Sequence, residues 1–399
     1  MKAMILAAGF GTRLWPLTID RTKPAIPFFG KPLVGYVAEY LSSYGFKDVV
    51  VNLHHRPESV KEALGDGSRF GVNLHYVLEK EILGTSGALD NAKDLLADDT
   101  FLVINGKIVT DIDLEEAYQA HKKSKALATM VLLPNARRER FSEVITENGE
   151  VKGFGGMPVN KFPSDNESVN VSQLQTQSLN PQSPNLSIPN PQSPNLSIPN
   201  PQSPNLSIPN LSIPNPSIPN LSIPNPSIPN LSISQSPIED VPLMFTGIQF
   251  LEPKIFDYIP QGVFSHSTTD VYPMAWANKE VIGAHIAKGT WYELSTIERY
   301  LEISLIVNEG KENGVIKGER NMISNDAIVR DTILWDDVRI EAGANIINSI
   351  IGDGVFIGEK ESFSNKAIVR ADLVLDTEPP EKALKGHFIG DNFVVNLTQ

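Results

Sequence analysis

Cysteine is absent from all 399 residues, which excludes a disulfide framework, thiol catalysis and thiolate-ligated zinc. Basic residues are in the minority, with 34 Lys+Arg against 47 Asp+Glu and a formal charge of −13. Nucleic acid and anionic membranes both call for basic surface, so neither is expected as a partner. No apolar run reaches the roughly 18 residues of a membrane-spanning helix. The opening Met1–Phe10 has Lys2 and then an apolar stretch, but that stretch is short for a signal peptide and runs directly into Gly-Phe-Gly-Thr-Arg. A soluble cytoplasmic protein is expected. At about 150 residues per domain, the length accommodates two or three domains.

Charge is also missing from one long internal stretch. From Asn180 the chain reads NPQSPNLSIP, repeated at Asn190 and Asn200, and then NLSIPNPSIP at Asn210 and Asn220. These fifty residues hold 15 of the 30 prolines and no charged side chain. Such a composition removes backbone donors and offers little apolar surface, so burial cannot offset the entropy of ordering. The expectation is an extended or disordered insert over 159–240, carried in a surface loop. The Asn-Leu-Ser triplets match glycosylation sequons, a reading that needs a secretory context.

On either side of the insert, apolar runs (Ala3–Ala8, Val49–Leu53, Phe101–Ile104, Ala128–Leu133) alternate with amphipathic stretches such as Val34–Tyr44 and Leu114–Ser124. Short continuous apolar strands between helices indicate an α/β, Rossmann-like sheet, largely parallel and covered on both faces, over 1–306. Ligands of such sheets bind beyond the carboxyl ends of the strands. In 307–399 the pattern changes: Ala327, Ile333, Val338, Ala344, Ile350 and Val355 recur at near-hexad spacing, punctuated by Gly343, Gly352, Gly354 and Gly358. This period predicts a parallel β-helix of hexapeptide repeats, with a β-sandwich as the alternative.

The densest chemical signal opens the chain. The first apolar run ends in Gly9-Phe10-Gly11-Thr12-Arg13, and Lys23-Pro24 follows ten residues later. The two glycines let backbone N–H groups approach a phosphate chain, and Thr12 adds a hydroxyl donor. Arg13 and Lys23 supply fixed positive charge for a triphosphate or a leaving pyrophosphate. The spacing is not that of a Walker A loop, and a purely structural tight turn is the alternative.

LAAGFGTRLWPLTIDRTKPAIPFFGKPLV resembles the signature of the sugar-1-phosphate nucleotidyltransferases, the nucleotide-sugar pyrophosphorylases. The resemblance continues through Gly84-Thr85-Ser86-Gly87, Val103-Ile104-Asn105-Gly106, Phe245-Thr246-Gly247-Ile248 and Trp291-Tyr292-Glu293-Leu294. Together with the hexads, it is similar to the mannose-1-phosphate guanylyltransferase branch. It implies attack by a sugar 1-phosphate on the α-phosphorus of a nucleoside triphosphate, with magnesium as cofactor and a left-handed β-helix through which copies associate. It also implies nucleotide contacts from Leu6, Ala8, Gly9, Gly11, Thr12, Gly84, Thr85 and Asn105, and catalytic roles for Arg13 and Lys23. Gly155, Gly247 and Glu293 would meet the sugar, and Glu293 would also ligate the metal. Glu79 falls where a base-reading side chain is common in the family, and a carboxylate there could pair with guanine.

Three positions depart from the family pattern. Lys107 stands where an acidic metal ligand follows Asn-Gly, and an ammonium has no lone pair to give. Glu293 replaces the usual aspartate. The sugar-phosphate loop reads Gly156-Met157-Pro158 in place of Glu-Lys-Pro. Two readings follow: a working enzyme in which the Lys107 ammonium supplies part of the metal's charge, or a catalytically impaired homologue that binds nucleotide or nucleotide-sugar and regulates an active relative.

Overall fold

The computed structural model describes residues 1–136, 139–155 and 241–397. The expected insert over 159–240 and the Gly156-Met157-Pro158 loop lie outside the described residues.

Alternation of side chains along four apolar strands builds two cores at once. In β1 (Lys2–Leu6), β2 (Asp48–Leu53), β3 (Asn73–Leu78) and β4 (Phe101–Asn105), successive residues point to opposite faces. Ala3, Ile5, Val49, Val51, Leu102 and Ile104 enter one buried cluster, and Met4, Val50, Phe101 and Val103 the other. Covering both faces is what a near-continuous apolar strand requires. Helices α1 (Leu33–Ser43), α2 (Pro57–Leu64), α3 (Gly84–Asn91) and α4 (Leu114–Ser124) connect or follow these strands. The start of α4 is fixed by Asp113, whose carboxylate accepts from the N–H groups of Glu115 and Glu116 at 2.9 and 3.1 Å.

The sheet has nine strands, completed by β5 (Ala128–Pro134), β6 (Glu143–Glu147), β7 (Glu150–Phe154), β8 (Leu243–Leu251) and β9 (Ile282–Ile286), in the order β3-β2-β1-β4-β8-β5-β9-β7-β6. Its first four strands run parallel, as does the β5–β9 pair, whereas β8 is antiparallel to β4 and β5. The sheet is therefore mixed rather than largely parallel. The first strand also stops at Leu6, short of the expected Ala8. There the Ala7 N–H leaves the ladder and donates to Asn52 Oδ1 at 2.8 Å, which opens the loop that follows.

Beyond helix α5 (Ile297–Asn308), three parallel ladders repeat every 17 residues. Ile316 pairs with Ile333, Ile333 with Ile350 and Ile350 with Ala367 on one side. Met322, Arg339 and Phe356 line up on the second side, and Ile328, Asn345 and Ser362 on the third. Parallel pairing at this repeat is the arrangement of a three-sided coil, whereas a sandwich would pair its strands antiparallel. One apolar side chain per side points inward, as with Val338, Ala344, Ile350 and Val355, all fully buried. The expected boundary at residue 306 falls inside the last turn of α5, and the first coil strand begins at Ile316.

All described residues belong to one compact unit, because sheet and coil share a core. Leu14, Trp15, Leu17, Ile19, Ile26 and Phe28, on the limb between the glycine loop and α1, pack with Tyr300 of α5 and with Ile333, Trp335, Ile350 and Phe393 of the coil. The Arg21 guanidinium lies 4.8 Å over the Trp335 ring and ion-pairs with Asp353. Asp353 in turn accepts from the Asp336 N–H at 2.9 Å. Asp353→Ala is expected to cost about 2 kcal/mol by urea denaturation, the scale of a charge-assisted hydrogen bond. Faster amide exchange in residues 12–28 would locate that loss.

Candidate active site

Three strand ends converge on one cleft. Leu6 ends β1, with Asn52 beside it on β2 and Asn105 beside it on β4. The loop Ala7–Arg13 arches over them, and together they line a cavity of about 390 Å³, within the range of small-ligand sites. Gly11 sits at φ +66°, and a β-carbon there would lie 3.0 Å from Lys23 Cβ, so the loop can pass over Lys23 only as glycine. A short turn, Lys23–Ala25, then presents the Lys23 ammonium to the cavity.

One end of the cavity is cationic. Arg13 is exposed at its rim, whereas Lys23 is only 6% exposed. Lys107 follows the end of β4, and its Nζ lies 2.6 Å from Glu293 Oε1. Lys23 Nζ lies 3.8 Å from the same oxygen. Backbone pairing enforces this meeting: the strand Trp291–Glu293 runs antiparallel to Ile108–Thr110, with Glu293 opposite Ile108. Burial pushes the Glu293 carboxyl up, but the Lys107 and Lys23 ammonium groups together hold it below its usual range. Burial, reinforced by the Lys107 charge, lowers Lys23 from 10.5 to about 7, against the pull of Glu293. Lys23 thus titrates near neutrality, where an arriving anion would reprotonate it.

Asn52, Ile82, Gly84, Thr85 and His266 also line the cavity. The His266 ring accepts from the Thr85 N–H through Nδ1 at 3.4 Å. Asp270 fixes this loop by accepting from the His266 N–H at 2.7 Å, a local tie rather than a contact in the cavity.

Of the residues singled out from the sequence, Leu6, Ala8, Gly9, Gly11, Thr12, Arg13, Lys23, Gly84, Thr85 and Asn105 all line the cavity. Glu79 does not. It is 2% exposed, and its two carboxylate oxygens accept from Asn52 Nδ2 at 2.6 Å and from the Leu83 N–H at 2.9 Å. As placed, it braces Asn52 and the loop ahead of Gly84, buried away from the cavity. Gly247 lies behind the cavity at φ +80°, and a β-carbon there would come within 2.1 Å of Asn105 Nδ2, so its glycine makes room for Asn105. Gly155 ends the β6–β7 hairpin, its N–H donating to the Glu143 carbonyl at 2.7 Å, and is likewise not a lining residue. Trp291 is a buried core residue rather than a wall of the cavity, its indole N–H donating to the Thr246 carbonyl at 2.9 Å. Sequence reasoning missed Asn52, Ile82 and His266, whereas Ser295 lies in the Trp291-Tyr292-Glu293-Leu294-Ser295-Thr296 stretch that carries the resemblance. A polar residue closing the apolar run VVVNL was the one available signal, and it marked Asn52.

The donor set does not fit the magnesium that the family resemblance implies. Glu293 Oε1 already faces an ammonium at 2.6 Å, and among the described residues no Asp or Glu side chain lines the cavity to supply a carboxylate oxygen.

Comparison with known proteins finds similarity to one family over the first part of the chain. Residues 2–165 match the nucleotidyl transferase family model. The chain is 36% identical over 172 residues to a UTP–glucose-1-phosphate uridylyltransferase of Synechocystis sp., covering 40% of this chain and 44% of that protein. It is 37% identical over 155 residues to a mannose-1-phosphate guanyltransferase of Yarrowia lipolytica (38% and 43% covered). Against an N-acetylmuramate alpha-1-phosphate uridylyltransferase of Neisseria meningitidis serogroup B, it is 45% identical over 120 residues (30% and 52% covered). The chain thus spans about half the length of the curated relatives it matches. A crystal structure from Bacillus anthracis, provisionally assigned as a glucose-1-phosphate thymidylyltransferase, superposes with a TM-score of 0.50 at 17% identity, over 77% of this chain and 96% of that one. At that identity the likeness concerns the fold. Among the described residues, no helix is long and apolar enough to cross a membrane.

Proposed function

We propose that this chain, whose residues 2–165 carry a nucleotidyl transferase domain, transfers a nucleotidyl group from a nucleoside triphosphate to a sugar 1-phosphate, releasing pyrophosphate. The observation that carries the reading is that Arg13, Lys23 and Lys107 line one cavity together with the uncharged Asn52, Ile82, Gly84 and Thr85. A nucleotide calls for both kinds of lining, cations for its polyanionic chain and uncharged groups for its base.

In the step itself, a phosphate oxygen of the sugar 1-phosphate attacks the α-phosphorus. The bond from that phosphorus to the β-bridging oxygen breaks, and pyrophosphate leaves with the electron pair. No general base is required, because a phosphate monoester with a second pKa near 6 is already mostly a dianion at neutral pH. The protein therefore acts by alignment and by neutralising charge that spreads onto the leaving group. Arg13 and Lys23 are suited to the phosphates, and the loop amides around Gly9 and Gly11 add further donors.

GTP with mannose 1-phosphate is the favoured pair, supported by guanyltransferase relatives from Yarrowia lipolytica and Schizosaccharomyces pombe. The three-sided coil is read as a left-handed β-helix on the strength of its 17-residue turn. Pyrophosphate release by purified protein, over four nucleoside triphosphates and a panel of sugar 1-phosphates, should be greatest for that pair. A faster reaction with UTP and glucose 1-phosphate would move the assignment to the uridylyl branch.

Because Lys23 sits at about 7 in the free protein, nucleotide binding should be coupled to proton uptake. At pH 8, calorimetry in buffers of different ionisation enthalpy should report a fraction of a proton absorbed per nucleotide. Affinity should fall as pH rises above 7, since the ammonium must be restored before it can hold phosphate. Binding without proton exchange would show that Lys23 does not meet the ligand.

A further inference from the structure

We infer that the Lys107 ammonium is a built-in cation of the phosphate site, so that the cavity takes metal-free nucleoside triphosphate in preference to its magnesium complex. The inference rests on the cavity being the nucleotide site, and it concerns the form in which the nucleotide enters.

Three observations carry it. First, backbone pairing fixes the main chain of Lys107 opposite the strand that carries Glu293. Lys107 immediately precedes the strand Ile108–Thr110, which pairs with Trp291–Glu293, and the Leu294 N–H points at the Lys107 carbonyl from 3.4 Å. Second, the carboxylate that could have served a metal already faces two cations, with Glu293 Oε1 2.6 Å from Lys107 Nζ and 3.8 Å from Lys23 Nζ. A magnesium ion binding there needs oxygen ligands at about 2.1 Å, and it would be held against the repulsion of those ammonium groups. Third, the charges do not balance without a polyanion. With all groups ionised, Arg13, Lys23 and Lys107 outnumber Glu293 by two positive charges. A free triphosphate tail offers more negative charge to that surplus than a magnesium-chelated tail, and it brings no second cation close to Lys107 and Lys23.

The test is calorimetric titration of the full-length protein with GTP, once in EDTA and once in excess magnesium. Wild type should bind on the order of tenfold more tightly in EDTA, the scale of a partly screened charge interaction. Lys107→Asp places a second carboxylate beside Glu293 and should reverse the order, with magnesium strengthening binding. Should that variant fail to fold, Lys107→Met removes the charge without adding a ligand, and the advantage in EDTA should disappear. Wild-type binding that needs magnesium, or is indifferent to it, overturns the inference and leaves the nucleotide reading standing. Retention of the EDTA advantage in either variant overturns it too, by detaching the effect from Lys107. Failure to bind GTP, UTP, ATP or CTP under both conditions would remove the nucleotide reading itself, and the inference with it.

Discussion

Lys23→Met is expected to lower kcat/KM for the nucleoside triphosphate by about two to three orders of magnitude, the cost of losing a preorganised donor to a charged transition state. The side chain is buried at the cationic end of the cavity, and the loop above it is cut back to glycine at Gly11 to admit it. The same substitution should raise stability, because the protein keeps this ammonium against its solvation preference. The sign follows from the pKa values. Lys23 is lowered from 10.5 to about 7, so between those values the unfolded chain binds the proton that the folded chain releases. Wild-type stability therefore rises with pH across that window. The cost is fully present below pH 7, and the advantage of Lys23→Met in urea denaturation should be greatest there and fade toward pH 10.5. A residue that weakens the fold while serving the ligand is the pattern expected of a binding site. Loss of both activity and stability at all pH values would instead make Lys23 a structural residue.

Glu293 does not itself line the cavity, yet Glu293→Ala should cost more stability than substitution of the lining residues it braces. It is 8% exposed and is the carboxylate facing Lys107 and Lys23. Its removal leaves two cations facing each other, and breaking such a buried pair costs about 3 kcal/mol, the lower end of the usual range because Lys107 reaches water. The effect should depend on pH in the direction opposite to that of Lys23. The carboxyl is held below its ordinary value of 4.5, so its contribution is present above that value and is lost as the pH falls through the lower, folded one. Denaturation of wild type and Glu293→Ala at neutral and acid pH should show the gap narrowing in acid. A gap that stays constant would mean that the carboxylate's charge is not what stabilises the cleft.

Much of this was legible in the sequence, for identifiable reasons. The β1, β2 and β4 strands were visible because both faces are buried and their apolar runs are unbroken. The coil was visible because one inward residue per side must recur every five or six positions. The loop that lines the cavity was visible because glycines and cations lie within one local stretch. Contacts made across the fold were not. Nothing local to Lys107 shows that Glu293 will face it, because the antiparallel pairing of Ile108–Thr110 with Trp291–Glu293 joins segments on opposite sides of the insert. Glu79 was misplaced for a related reason. In the charged run Glu79-Lys80-Glu81 it reads as a surface acceptor, but it follows directly on β3, and the side chain turns inward to Asn52. His266 carried no sequence signal, since its loop reaches the cavity through tertiary contacts with residues 83–87.

The central claim is that the cationic end of this cavity transfers a nucleotidyl group. Incubation with a triphosphate labelled at the α-phosphorus and a sugar 1-phosphate tests it most directly, with Arg13→Ala as the paired control. The account predicts that the label moves into a nucleotide-sugar, that unlabelled pyrophosphate appears in equal amount, and that both signals collapse in the variant. Tight nucleotide binding with no transfer of label for any base and sugar would contradict it and leave a nucleotide-binding protein that does not turn its ligand over.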